Sequence, residues 1–341
     1  MYDIKDNGFN FIRLLAAIQV FWGHACQHLE INQPLILKEI WWGFRGVPVF
    51  FIISGFFIWN SLEKKQSFKQ YAAKRIIRLY PELWGGVFIN AIIMAAVYHN
   101  KIKIVPFIFF QIAQSTLFQF WTPDCLKEYG VGTPNGSLWT IGVMVQCYIV
   151  IFLLHKLLYK KRFMYFVFFL TLGIVMNIFA AYLSGIVPEI IYKLMLQTFM
   201  PYIWLFILGA VICEYFDKII GTLTKYWPVF LILLIAVNLS KIERDIGVYE
   251  TINAILLSFT IIGFGYAVKV KIKYDFSYGF YIYHMIVINL MVEFCLIGNI
   301  LYLLTAFVVS GILAVISFFS LGYISRNLKN AVLLNRERKC L

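Results

Sequence analysis

The chain has 341 residues, of which 61% are hydrophobic and 14% charged, and its mean hydropathy is +0.79. A soluble core cannot absorb that much apolar sequence, so the composition excludes a water-soluble enzyme and points to an all-α polytopic membrane protein. The net charge of +13 would suit nucleic acid as a partner, but the basic residues gather at the ends of apolar runs, and that distribution excludes it.

Apolar runs fall near residues 9–29, 44–62, 79–98, 138–154, 163–183, 194–213, 226–240, 251–268, 276–297 and 299–324. Ten spans place both termini on one side. That side collects Lys64, Lys65, Lys69, Lys74, Arg75, Arg78, Lys156, Lys160, Lys161, Arg162, Lys218 and Lys225. Lys269, Lys271, Lys273, Arg326, Lys329, Arg336, Arg338 and Lys339 follow, which makes 20 of the 30 basic residues. The opposite loops hold eight basic and eight acidic residues. This asymmetry is the positive-inside pattern, so both termini are expected in the cytosol, with the basic tail from Arg326 against anionic lipid headgroups. No cleavable signal peptide and no appended soluble domain are expected, and residues 1–341 read as one integral-membrane domain.

The first run carries the most informative pair, Arg13 and His24. Eleven residues at ~100° each come within about 20° of three turns, so the two share one face about 16 Å apart along the axis. An ionisable group inside a span is costly and marks a functional site by default. A structural histidine bonded between helices is the competing reading of His24. In the second run, Ser54-Gly55 allows close helix approach and a hydroxyl contact; packing and catalysis both remain open. At the cytosolic end of the third run, Arg75 and Arg78 stand at i, i+3 and could fork a phosphate, or could simply set topology. Pro81 suits the first turn of a helix or a kink, and Glu82 stands four residues past Arg78.

The longest non-spanning segment, residues 99–136, holds an apolar patch at 104–120 expected as a half-buried or re-entrant outer helix. Asn135 to Thr140 opens the fourth run, with Asn135 or Ser137 able to cap it and Trp139 suited to the interface. The ninth begins at Asp275; Tyr274, Tyr278, Tyr281 and His284 form one stripe that should face the bundle interior. The six cysteines show no CxxC spacing, so neither a metal site nor a disulfide framework is expected.

Five of these blocks together resemble the integral-membrane acyltransferase-3 family, which includes O-antigen and exopolysaccharide O-acetyltransferases. They are Arg13-x10-His24, the Gly-Val…Phe-Phe-x-x-Ser-Gly block at 46–55, Arg75-x-x-Arg78-x-x-Pro81, Ser137-Leu-Trp-Thr140, and Ser277-Tyr-Gly-x-Tyr281-x-x-His284. The resemblance covers the whole chain. It implies ten membrane helices in the cytoplasmic (inner) membrane of a bacterium. It implies acetyl-CoA or another acyl-CoA as cytosolic co-substrate, with no permanently bound cofactor and no metal. The acceptor would be a hydroxyl of a polysaccharide or lipid-linked glycan, and the catalytic residue would be His24. Two positions depart from the family pattern: Asn10 stands where an Asp is common, and Met144 stands where many relatives have a glutamate.

The residues support the same mechanism. Arg13, Arg75 and Arg78 would hold CoA phosphates, and His24 would deprotonate the acceptor or form an acyl-histidine relay. Asn10, Ser54, Ser137, Trp139, Tyr281 and His284 would line the cavity. The competing function is a transporter or flippase for a polysaccharide or lipid-linked intermediate, with Arg13 and His24 as pathway residues. The halves show no internal repeat, which weighs against it.

Overall fold

The computed structural model describes residues 2–64, 67–157, 162–240 and 246–328. Lys65, Lys160, Lys161, Lys329, Arg336, Arg338, Lys339 and Cys340 therefore lie outside the described residues. Among the described residues the protein is helical, with no strand. In order the α-helices are α1 (Phe9–His28), α2 (Leu35–Gly43), α3 (Gly46–Leu62), α4 (Phe68–Val97), α5 (Ile104–Gln114), α6 (Trp139–Leu157) and α7 (Arg162–Tyr182). Then come α8 (Glu189–Met195), α9 (Ile203–Glu214), α10 (Phe216–Leu239), α11 (Ile246–Ala267), α12 (Ser277–Glu293) and α13 (Ile300–Phe319).

Each apolar run has its helix. Among the described residues seven helical segments are long and apolar enough to cross a membrane. The helices α1, α9 and α12 fall outside that group for different reasons. The apolarity of α1 is diluted by Asn10, Arg13, Gln19, His24, Gln27 and His28, and α12 has only 17 residues. Where residues 194–213 suggest one span, α9 has 12 residues, about 18 Å of helix. It is buried all round, as a helix apolar on every face must be.

The helix of the third run, α4, also differs from expectation. Ser67 and Gln70 form a capping box, each side chain bonding the other's backbone N–H, so α4 starts at Phe68 rather than near residue 79. Arg75 and Arg78 thus sit within a 30-residue helix, and Pro81 is interior to it. The patch at 104–120 forms α5, which buries Phe110 and Gln114 on one face and exposes Ile104, Ile108 and Ile112.

The helices sort into two compact units. The first comprises Met1–Val20, Gln33–Lys64 and Val143–Asp275. Its centre is α3 against α9, where Gly55 meets the Phe206 backbone and Gly209 meets that of Ile52. Small residues facing each other let the backbones touch, which is how helices pack without a hydrophobic driving force between them. Two polar clusters tie this unit: Arg162 bonds Glu214 at 2.8 Å, and Asn238 accepts from Tyr249 and Asn253.

The second unit comprises Phe21–Asn32, Lys65–Gly142 and Phe276–Leu341. In it α12 packs on α4 and α13: Gly279 lies against Ala314, Gly86 against Ile282, and Tyr278 donates to the Leu79 carbonyl at 2.8 Å. The Gly298 amide donates to the Leu29 carbonyl at 2.8 Å and joins the C-terminal ends of α1 and α12. Both helices stop at a residue in the left-handed region, Glu30 at φ 54° and Cys295 at φ 55°.

Candidate active site

The second unit brings His24 and His284 together. Nδ1 of His24 lies 3.0 Å from Nε2 of His284, and the ring planes differ by 15°. The ring centres are 5.3 Å apart. Subtracting the 3.0 Å bond leaves 2.3 Å, about twice the centre-to-nitrogen radius of an imidazole. The two nitrogens therefore fall on the line of centres. The rings meet edge to edge along an N–H···N hydrogen bond in their common plane, not face to face. His284 is fully buried, while His24 is half-buried. Phe21, Phe280 and Phe307 pack edgewise around the pair, and His28, one turn along α1, places its ring 6.0 Å from that of His24.

The α12 stripe continues at Tyr281, whose ring is 5.7 Å from that of His284. Its hydroxyl donates to the Ser137 carbonyl at 3.0 Å and shares a 2.8 Å bond with the Thr140 hydroxyl. The Ser137 hydroxyl donates to Asn135 Oδ1 at 2.8 Å, and Asn135 Nδ2 donates to the Ile282 carbonyl at 3.0 Å. Ser137, Thr140 and Tyr281 are buried, and these bonds fasten the start of α6 to α12; Trp139 beside them is half-buried. Further along, Asn289 accepts from the Val131 amide at 2.9 Å and donates to the carbonyls of Thr133 and Pro134. Glu293 accepts from the Gly130 amide at 3.0 Å. The long outer segment is thus stitched to the helix that carries His284.

Arg75 and Arg78 share α4 but not an environment. Arg78 is exposed, whereas Arg75 is half-buried with its guanidinium 5.1 Å over the Tyr71 ring. Glu82 is buried, accepts from Ser317 at 3.2 Å and adjoins Gly279.

Asn10, Arg13 and Ser54 belong to the first unit. Arg13 reaches Asp275 at 3.4 Å and Asn10 Oδ1 at 3.5 Å, with its guanidinium 5.2 Å over Phe57. Asn10 donates to the Ile272 carbonyl at 3.1 Å. It also lines a cleft of about 350 Å³ with Lys5, Asp6, Lys271 and Lys273. Hydrogen bonds from Lys269 and Lys271 hold the Asp6 carboxyl down to about 2. Ser54 is half-buried beside Gly55 on α3. Among the described residues no group of three or more His, Cys, Asp or Glu could hold a metal ion.

Sequence reasoning missed four residues here. Asp275 was visible only as the start of a span. His28 stands at i+4 from His24, a spacing that signals a shared face. Asn135 and Asn289 could have been found as amides next to or inside apolar runs, where an unpaired amide is costly.

An all-helical bundle with several apolar spans and a polar histidine pair among its helices defines an integral-membrane protein with an internal site. The model of the acyltransferase domain family Acyl_transf_3 matches residues 6–322, so the chain belongs to that family. Nodulation protein 10 of Rhizobium leguminosarum bv. viciae is 28% identical over 157 residues, covering 42% of this chain and 43% of that protein. A putative acetyltransferase, ORF330, of Acidianus two-tailed virus is 25% identical over 283 residues, or 78% of this chain and 80% of its own length. An O-acetyl transferase of Shigella phage Sf6 is 28% identical over 152 residues, 43% of this chain and 45% of its own. Nodulation protein 10 and the phage protein are thus each matched over less than half their length. No solved structure matches the chain.

Proposed function

We propose that the protein is an O-acetyltransferase that moves an acetyl group from cytosolic acetyl-CoA to a hydroxyl of a cell-envelope polysaccharide or lipid-linked glycan. It would do so in the bacterial cytoplasmic membrane, with ten crossings and both termini in the cytosol. Support for the reaction comes from the family and from relatives named as O-acetyltransferases. The observation that carries it is His24, half-buried on α1 with Nδ1 engaged and Nε2 left for substrate. Nε2 takes the proton of the acceptor hydroxyl as its oxygen attacks the thioester carbonyl. The carbon–sulfur bond breaks, and the proton passes to the departing thiolate. Arg78, exposed, and Arg75, half-buried, offer the donor phosphates two guanidiniums one turn apart.

The test is transfer of radiolabelled acetyl-CoA to the glycan fraction of membranes carrying the protein or its His24→Ala variant. A base contributes ~10²–10⁴-fold in rate, so the variant should show no label above background while still binding acetyl-CoA. Near-normal labelling by His24→Ala would refute the mechanism.

A further inference from the structure

We propose that His284 is the positioning residue of this reaction: it accepts the Nδ1–H of His24 and so fixes the tautomer in which His24 Nε2 is the free base. The inference rests on the reading of His24 as the base. It goes further by saying what orients that base.

The division of labour follows from burial. His284 is 0% exposed and cannot touch a substrate, while His24 is half-buried. The two share a single in-plane N–H···N bond of 3.0 Å, which needs one proton and one lone pair. The direction of that bond is set from inside the helix. Nε2 of His284 faces His24, so Nδ1 faces α12 itself. Among the described residues this buried Nδ1 makes no hydrogen bond of ordinary geometry, and the backbone acceptors beside the ring are the carbonyls of Phe280 and Tyr281. A lone pair at Nδ1 would point at oxygen, so the proton belongs on Nδ1. Nε2 of His284 then carries the lone pair and must accept. His24 therefore donates through Nδ1 and keeps its own lone pair on Nε2, the ring edge that remains for substrate. The helix carbonyls thus orient the base through one intervening imidazole, as the buried carboxylate does in a Ser-His-Asp triad.

The same bond serves the reaction step. When Nε2 of His24 takes the acceptor proton, His24 becomes an imidazolium, and its Nδ1–H bond to neutral His284 becomes charge-assisted and stronger. The titratable groups facing the pair are His28 on α1 and Tyr281 on α12. Glu82 of α4 lies elsewhere, at Ser317 and Gly279, and α13 presents the apolar Phe307. Fixing the pair is also structural: the Gly298–Leu29 bond holds the ends of the two helices together.

The test has two arms. In nanodiscs, ¹⁵N NMR of histidine-labelled protein, assigned with His24→Gln and His284→Gln, should show both neutral rings protonated on Nδ1. Protonation of His24 on Nε2 overturns the proposal, whether or not the protein transfers acetyl groups. In the kinetic arm, thiol release from acetyl-CoA is followed over pH. His284→Ala should lower kcat roughly 10²-fold with acetyl-CoA affinity unchanged. His284→Glu should recover most of that loss and move the acid limb of the profile to higher pH, since a carboxylate beside an imidazole favours its protonated form. A His284→Ala protein that binds acetyl-CoA normally and turns over at the wild-type rate overturns the positioning role alone. Full activity in His24→Ala instead overturns the assignment of the base. Should His284→Ala fail to fold, the tautomers of the wild-type protein decide the matter.

Discussion

Asn289 offers a quantitative probe of how the outer segment is held. It is fully buried in α12, and its one amide group serves the Val131 amide and the Thr133 and Pro134 carbonyls. Asn289→Leu keeps the branching and heavy-atom count of the side chain and removes all three bonds. Thr133 is exposed, so its carbonyl turns to water. The Val131 amide and the Pro134 carbonyl, half-buried and buried, are stranded. A stranded buried group costs about 1–3 kcal/mol, and with Val131 only half-buried the pair should cost about 3 kcal/mol. At about 1.4 kcal/mol per decade, local opening of the segment becomes roughly 10²-fold more frequent. Hydrogen–deuterium exchange of the amides at 130–137 should accelerate by that factor, while the middle of α13 exchanges as before. Unchanged exchange in the segment would show that its other ties, Asn135 to Ile282 and Glu293 to Gly130, hold it without Asn289.

Three further outcomes are expected. Arg75→Ala with Arg78→Ala should weaken acetyl-CoA binding in a protein that still inserts; lysines at both positions should restore it only in part, because an ammonium keeps charge and loses the fork, and unchanged affinity would reduce the arginines to topology signals. Reporter fusions after Arg162 and Arg338 should read cytosolic and one after Lys127 external, so an external C-terminal reporter would reverse the donor side. The Asp6 carboxyl, held down to about 2, gains its Lys269 and Lys271 pairing above its ordinary 3.8 and loses it only as pH falls through 2; a ¹³C carboxyl titration with a midpoint near 3.8 would refute those pairs.

The helices were legible because each apolar run is long and bounded by charge or, at Gly298, by a helix-breaking glycine, which fixes a helix without tertiary knowledge. What the runs could not give was helix length where local signals compete. The Ser67 cap carries α4 eleven residues beyond its apolar start, and the stretch from 194 to 202 stays outside α9. Within the site, His24 and His284 each stood out as polar groups in apolar runs. Their bond did not, since 260 residues separate them and no local period links them. Ser137 and Tyr281 were legible as polar positions of the right spans. The structure turns their hydrogen bonds toward one another, because buried hydroxyls take the nearest partner. The i, i+3 spacing of Arg75 and Arg78 was legible, but their unequal exposure was not: Arg75 lies over the Tyr71 ring of its own helix while Arg78 is exposed.

The second unit is discontinuous in the chain, and this sets an order of events during synthesis. His24 leaves the ribosome near the start, but its partner follows 260 residues later, roughly 13 to 50 s at ordinary elongation rates. The first unit ends at Asp275 and can close before α12 exists. The histidine pair is therefore among the last features of the molecule to form. A chain interrupted between α11 and α12 would hold eleven of the thirteen α-helices among the described residues and lack the pair, so the nascent protein passes through the membrane machinery before the two histidines meet.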